Sequence, residues 1–162
     1  MTLEDKVRYL ESSRALRDAR EYLAQYGRLD ARIGLKLARL DVMREKQRRL
    51  RGALGQALEG APALPGIREA EEEVLADYSA LLKLQKDIGD HIRRVPGSVQ
   101  QAVLEMHYLQ GMPFFRAAMA LHYEERQIYR LHRAGLKAIA AQLLLEGALP
   151  GPAGATEGEN GK

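Results

Sequence analysis

From Val74 to Ile92 the chain places Val74, Tyr78, Leu81, Gln85, Ile88 and Ile92 at alternating steps of four and three. A repeat averaging 3.5 residues is the seam of a left-handed helical pair. The segment starting near Ile67 holds about 28 residues, a rod on the order of 40 Å at 1.5 Å per residue. Glu69, Glu71, Glu72 and Glu73 crowd its first turns, where carboxylates complement the helix dipole. A second stripe precedes it: Ile33, Leu37, Leu40, Met43, Gln47, Leu50, Leu54 and Leu58. Between the two lies "GAPALPG" (60–66), with two prolines and two glycines that stop a helix. The economical arrangement is an antiparallel helical hairpin over residues 1–94. The same stripes also fit a second copy of the chain, and use of both seams is expected. Upstream, Leu3, Val7, Leu10, Leu16, Ala19 and Leu23 give an earlier stripe, and Gly27 and Gly34 are candidate bends.

Composition supports the all-α class. Of 162 residues, 46% are hydrophobic and 29% charged, with no Trp and two Phe, a vocabulary that favours helices. No cysteine is present, which excludes disulfides and thiolate metal sites and fits a reducing cytoplasm. No apolar run approaches the roughly 20 residues of a membrane span, and "MTLEDKVRYLESS" lacks the pattern of a signal peptide. A cytoplasmic protein with no membrane partner is the expectation. Residues 1–60 carry fourteen Lys/Arg against nine Asp/Glu, and residues 96–145 five against three. Such basic segments suit nucleic acid, and equally suit solvated helix faces.

Beyond "VPGS" (95–98) the pattern shortens. Ser98 with Gln101 has the form of a capping box. Three segments follow, "SVQQAVLEMHYLQ", "PFFRAAMALH" and a helix from Glu124 to about Leu145. Pro113 opens the second, where its missing N–H costs little. Phe115, Ala118, Met119 and Leu121 are predicted to face inward from it. Ile128, Leu131, Leu136 and Ile139 do so from the third. The link from Leu121 to Glu124 admits only a tight turn, so 95–145 reads as a trihelical helix-turn-helix module. Residues 146–162, rich in Gly, Pro and Glu, are predicted to be a disordered tail.

The stretch "VQQAVLEMHYLQGMPFFRAAMALHYEERQIYRLHRAGLKAI" resembles region 4 of sigma-70-type factors. It is more closely similar to a largely uncharacterised phage and prophage family carrying that module at the C-terminus, the ArpU/RinA-like late transcription regulators. The likeness rests on Val103, Leu104, Tyr108, Leu109, Gln110, Gly111, Ala118, Leu121, Tyr123, Arg126, Ile128, Tyr129, Arg130, Leu131, His132 and Leu136. "REYLAQYGRLDARIGLKLARLD" resembles the family's N-terminal helix, so the likeness spans roughly residues 20–140. Four positions depart from the pattern. Ala117 stands for a bulky Ile, His122 for the turn Gly, Glu124 for a small N-cap residue, and Gly135 for an Ala. His122 must then adopt a left-handed backbone at a cost of about 1 kcal/mol, or the turn must change.

The resemblance implies double-stranded DNA as a partner and contact with RNA polymerase. It places Glu125, Arg126, Tyr129 and Arg130 at base-reading positions. Arg126 and Arg130 suit guanine, and Glu125 suits cytosine N4 or simply the helix dipole. Arg133 and Lys137, further along, suit phosphate, as does Arg116 on the preceding helix. Tyr129 has two roles open, a sugar or thymine contact and packing against the motif's first helix. His107 is expected to be partly buried and His132 to face phosphate. His91, His107, His122 and His132 have no metal-ligand spacing, and no serine sits in a nucleophile elbow. Neither enzyme, cofactor nor metal is expected. A complete sigma factor is excluded because no aromatic-rich segment exists to capture melted bases. The expected function is a sequence-specific DNA-binding transcription regulator, with a possible homodimer through the hairpin. A small terminase subunit and a polymerase-binding module without DNA binding are the alternatives.

Overall fold

The computed structural model describes residues 2–58, 60 and 64–148. Every regular element among these is helical: α1 (Leu3–Leu10), α2 (Ser13–Leu54), a short 3₁₀ turn (Gly55–Leu58), α3 (Ile67–Arg93), α4 (Ser98–Leu104), α5 (Phe114–Leu121) and α6 (Glu125–Leu145). A π turn over Glu105–Leu109 prolongs α4. The all-α class follows the sequence reading. Of the predicted tail, Ala148 and the two residues before it are described, and Glu146 there is tied down by hydrogen bonds from His91 and Arg94. The rest of the tail lies outside the described residues.

Two compact units divide the chain, and the division falls inside helices rather than at the 94/95 loop. The terminal unit combines the residues up to Gly27 with those from Gln85 on, and the middle unit is Arg28–Leu84. The continuity of α2 explains why no boundary shows in the sequence. Gly27 and Gly34 lie within an unbroken helix, and nothing stands within 4 Å of a Cβ built on either. Each weakens the helix by about 1 kcal/mol relative to Ala, too little to interrupt it.

In the middle unit α2 and α3 run antiparallel. Lys36 Nζ lies 2.7 Å from Asp77 Oδ2 and 3.7 Å from Glu73, Arg32 lies 3.6 Å from Asp77, and Arg44 lies 3.3 Å from Glu71. Ile33, Leu40, Ile67 and Leu81 are buried. The seam is offset from the heptad in the sequence. Tyr78 and Gln85 are exposed, and Asp77 takes the inward flank beside Lys36. A 3.5-residue repeat fixes the pitch of the buried stripe, whereas ion pairing selects which neighbouring row faces in.

The terminal unit has the fuller core. Ala15, Ala19 and Leu23 of α2, Ile88 and Ile92 of α3, Val95, Val103 and Leu104, and Ile128, Leu136, Ile139 and Leu143 of α6 are all buried. Leu3 and Val7 of the early stripe are exposed, and Tyr9 is buried in their place, with its phenol hydrogen-bonded to Asp18. Ser12 Oγ accepts from the Ala15 amide at 3.3 Å, anchoring the first turn of α2. The cap before α4 differs from the predicted Ser98 box. Gly97, at φ 99°, is the N-cap, and Gln101 Nε2 instead donates to the Val95 carbonyl at 2.8 Å. The positive φ turns the chain so that Gln101 reaches back across the loop rather than to its own helix start.

Candidate nucleic-acid interface

The helix-turn-helix begins with α5 and turns at His122. That residue has φ 59° and ψ 41°, the left-handed conformation its position demanded, and is the single non-glycine residue with positive φ among the described residues. Its amide donates to the Met119 carbonyl at 3.3 Å, and the Tyr123 amide donates to Ala118 at 3.0 Å. The carbonyls at the end of α5 are thereby satisfied as in a glycine-terminated helix. Two residues later α6 starts. Glu124 is extended at φ −71°, ψ 148°, and its amide donates to Gln127 Oε1 at 3.0 Å. Glu124 therefore works as the N-cap of α6.

Burial fixes the roll of α6. Val103, Ala118 and Ile128 form a core cluster, with Phe114, Leu121 and Leu131 packed against it. Phe115 and Met119, predicted inward, instead lie 54% and 73% exposed, and Ala117 is buried. Ala117 and Ala118, with Phe114 and Leu121, take the inward side in place of Phe115 and Met119, and the two alanines let the helices approach closely. Gly135 works the same way against α4: a Cβ there would stand 2.9 Å from Leu104 Cδ1. Its departure from Ala is thus matched by a Leu that fills the space.

With that roll, Glu125, Arg126, Tyr129, Arg130, Arg133 and Lys137 are all exposed. At 100° per residue they share an arc of roughly 140° and about 18 Å of helix. Four cations face one carboxylate on this arc, and Arg116 is exposed on α5. Of the two roles left open for Tyr129, the packing role is the one observed. Its ring packs 5.1 Å from that of Phe114, and its hydroxyl donates to Glu125 Oε1 at 3.0 Å. That hydrogen bond raises the Tyr129 pKa, because ionising the phenol would remove the donor. Phe114, Tyr129 and Glu125 thus form a braced line, and Glu125 is aimed with one oxygen engaged.

His132 does not face phosphate. It is buried on the inner side of α6, where Nε2 lies 2.7 Å from the Tyr108 hydroxyl. Burial, then His107 and Arg20, lower its pKa to about 4. Burial likewise pushes the Tyr108 phenol up to about 12. The phenol therefore donates to Nε2, which leaves the ring proton of His132 on Nδ1. His107 stacks on Phe114 with centroids 3.9 Å apart, and its Nδ1–H donates to the Met112 carbonyl at 2.8 Å. His107 is partly buried, as expected. The sequence carried no local signal for the Tyr108–His132 pair, whose members lie 24 positions apart. At the far end of α6, Glu146 accepts from His91 Nε2 at 2.8 Å and from Arg94 at 3.2 Å.

Comparison with family models, curated proteins and solved structures finds no match. The geometry of the arc therefore carries the functional argument. No group of three or more His, Cys, Asp or Glu suited to a metal ion occurs among the described residues. No helix there is long and apolar enough to cross a membrane.

Proposed function

We propose that the chain is a sequence-specific DNA-binding transcription regulator of phage or prophage type, with α6 as the helix that enters the major groove. The observation that carries this reading is the cationic arc of α6, raised on a core that leaves only polar and aromatic side chains along it, behind a tight left-handed turn. Arg126 and Arg130 would take guanine edges, Glu125 a cytosine amino group, and Arg133, Lys137 and Arg116 phosphates. The resemblance to sigma-region-4 modules of ArpU/RinA-like regulators supports the same assignment, as does the basic pI of about 9.2. A homodimer would present two such helices to two half-sites.

Selection of bound duplexes from a random pool tests the reading. Enrichment of one motif is the expected result, and no retained duplex at about 50 mM salt would sink it. One observation favours a second reading. Phe115 and Met119 leave an apolar strip on the outer side of α5, a surface suited to a protein partner. A polymerase-binding module without DNA binding predicts capture of polymerase subunits that Met119→Glu abolishes, together with an empty selection.

A further inference from the structure

The middle unit has too little inside. Among its described residues four large apolar side chains are buried, whereas Leu35, Leu37, Val42, Leu54, Leu75, Tyr78 and Leu82 are exposed. The terminal unit shows the opposite balance. Two helices alone present one contact line and cannot enclose a core. Three of the exposed residues form a seam of their own on α3: Leu75, Tyr78 and Leu82, spaced by three and four and 65%, 49% and 48% exposed. Leu37 of α2 joins them. Lys36 and Asp77 are ion-paired between the helices, and one step forward along each antiparallel helix turns Leu37 and Tyr78 to the same side of that pair.

The geometry points to a second copy of this chain as the occupant of this seam, arranged as a two-fold four-helix bundle with α2 of each copy beside α3 of the other. Charge selects that partner. Residues 28–50 hold eight Lys/Arg against three Asp/Glu, and residues 67–84 hold two against five. The ion pairs of Lys36, Arg32 and Arg44 with Asp77, Glu73 and Glu71 already show α2 attracted to α3 within one chain. A two-fold copy repeats that attraction across the seam, because an isologous interface sets each surface against its own complement. Pairing α2 with α2 would instead oppose two basic helices. Leu35 and Val42 lie on the other flank of α2 and stay outside the bundle.

The test is the mass of the full chain in solution without DNA, so its outcome does not depend on whether the protein binds DNA. Sedimentation from about 1 to 100 µM is expected to show a monomer–dimer equilibrium. Tyr78→Glu with Leu82→Glu should raise the dissociation constant roughly 100-fold or more, since a closed bundle would bury their carboxylates without partners. Both positions are exposed in the single chain, so its helical circular dichroism should be retained; Tyr78→Gln with Leu82→Gln is the milder form if it is not. Leu35→Glu with Val42→Glu should leave the dimer intact. A monomeric wild type at 100 µM, a ring of eight or more chains, a dimer indifferent to the Tyr78 and Leu82 variants, or a dimer dissolved by the Leu35 and Val42 variant would each overturn the proposal. A monomeric variant that still selects a DNA half-site would leave the DNA reading standing.

Discussion

His122 holds a conformation that an L-residue enters at a cost of about 1 kcal/mol, and glycine enters it freely. Its side chain is exposed, so replacement loses no packing. His122→Gly should therefore raise stability by about 1 kcal/mol, read as a higher urea midpoint with unchanged slope. His132 sets a pH dependence of opposite visibility. Its folded pKa of about 4 lies below the ordinary 6.5, so the unfolded chain binds the proton first as pH falls. Stability is then full above about pH 6.5 and is lost progressively toward pH 4, by about 2 to 3 kcal/mol. Glu146, whose carboxyl is lowered by its hydrogen bond from His91, adds a loss in the acid range below its ordinary value of 4.5. Urea melts at pH 7 and pH 5 separate the two, and His132→Gln should flatten the slope between those values. The left-handed His122 was legible through the resemblance, which puts it where the turn glycine stands, with a changed turn as the alternative. The burial of His132 was not, because its partner Tyr108 lies 24 positions away with no local signal, and a basic neighbourhood in sequence gave the wrong face.

At the scale of elements, glycine means different things in α2 and α6. Gly34 sits in an exposed helix interior with open space around a would-be Cβ, so Gly34→Ala should stabilise by about 0.5 to 1 kcal/mol. Gly135 also lies inside a helix, yet a Cβ there meets the fully buried Leu104 at 2.9 Å. Overpacking of that kind costs about 1 to 3 kcal/mol, which outweighs the propensity gain, so Gly135→Ala should lower the thermal midpoint. Leu104→Val should rescue part of that loss if the clash is the cause, which a double-mutant cycle reads directly. Periodicity located α3, α5 and α6 but misplaced their faces by one position at Tyr78 and at Phe115 and Met119. The reason is common to both: the inward row was chosen by a feature that hydrophobicity does not record. In α3 that feature is the Lys36–Asp77 pair, and in α5 it is the close approach allowed by Ala117 and Ala118. The exposed arc of α6 was legible because its buried side is large and aliphatic, leaving no second way to roll the helix.

Across the whole molecule, two helices serve two units, and the terminal unit has what an independent domain needs. Its core includes Leu23, Ile88, Leu104, Ile128 and Ile139, all fully buried. Tyr22 and His91 bind across α2 and α3 at 2.7 Å, so the helices are neighbours a few residues before Gly27 and a few residues after Gln85. A loop of two to five residues joins antiparallel helices at such a spacing. Replacing 28–84 by a four-residue Gly/Ser turn should therefore give a folded chain that melts cooperatively and keeps helical circular dichroism. If the middle unit supplies the dimer seam, the shortened chain stays monomeric at concentrations where the full chain is a dimer. Its DNA affinity should then fall, and its salt dependence should fall with it. Each phosphate contact contributes about 0.9 to the slope of log affinity against log salt, so a monomer reading one half-site should show about half the slope of the dimer. An unchanged slope on the shortened chain would mean that one copy of α6 makes all the phosphate contacts, and that the middle unit acts on something other than half-site pairing.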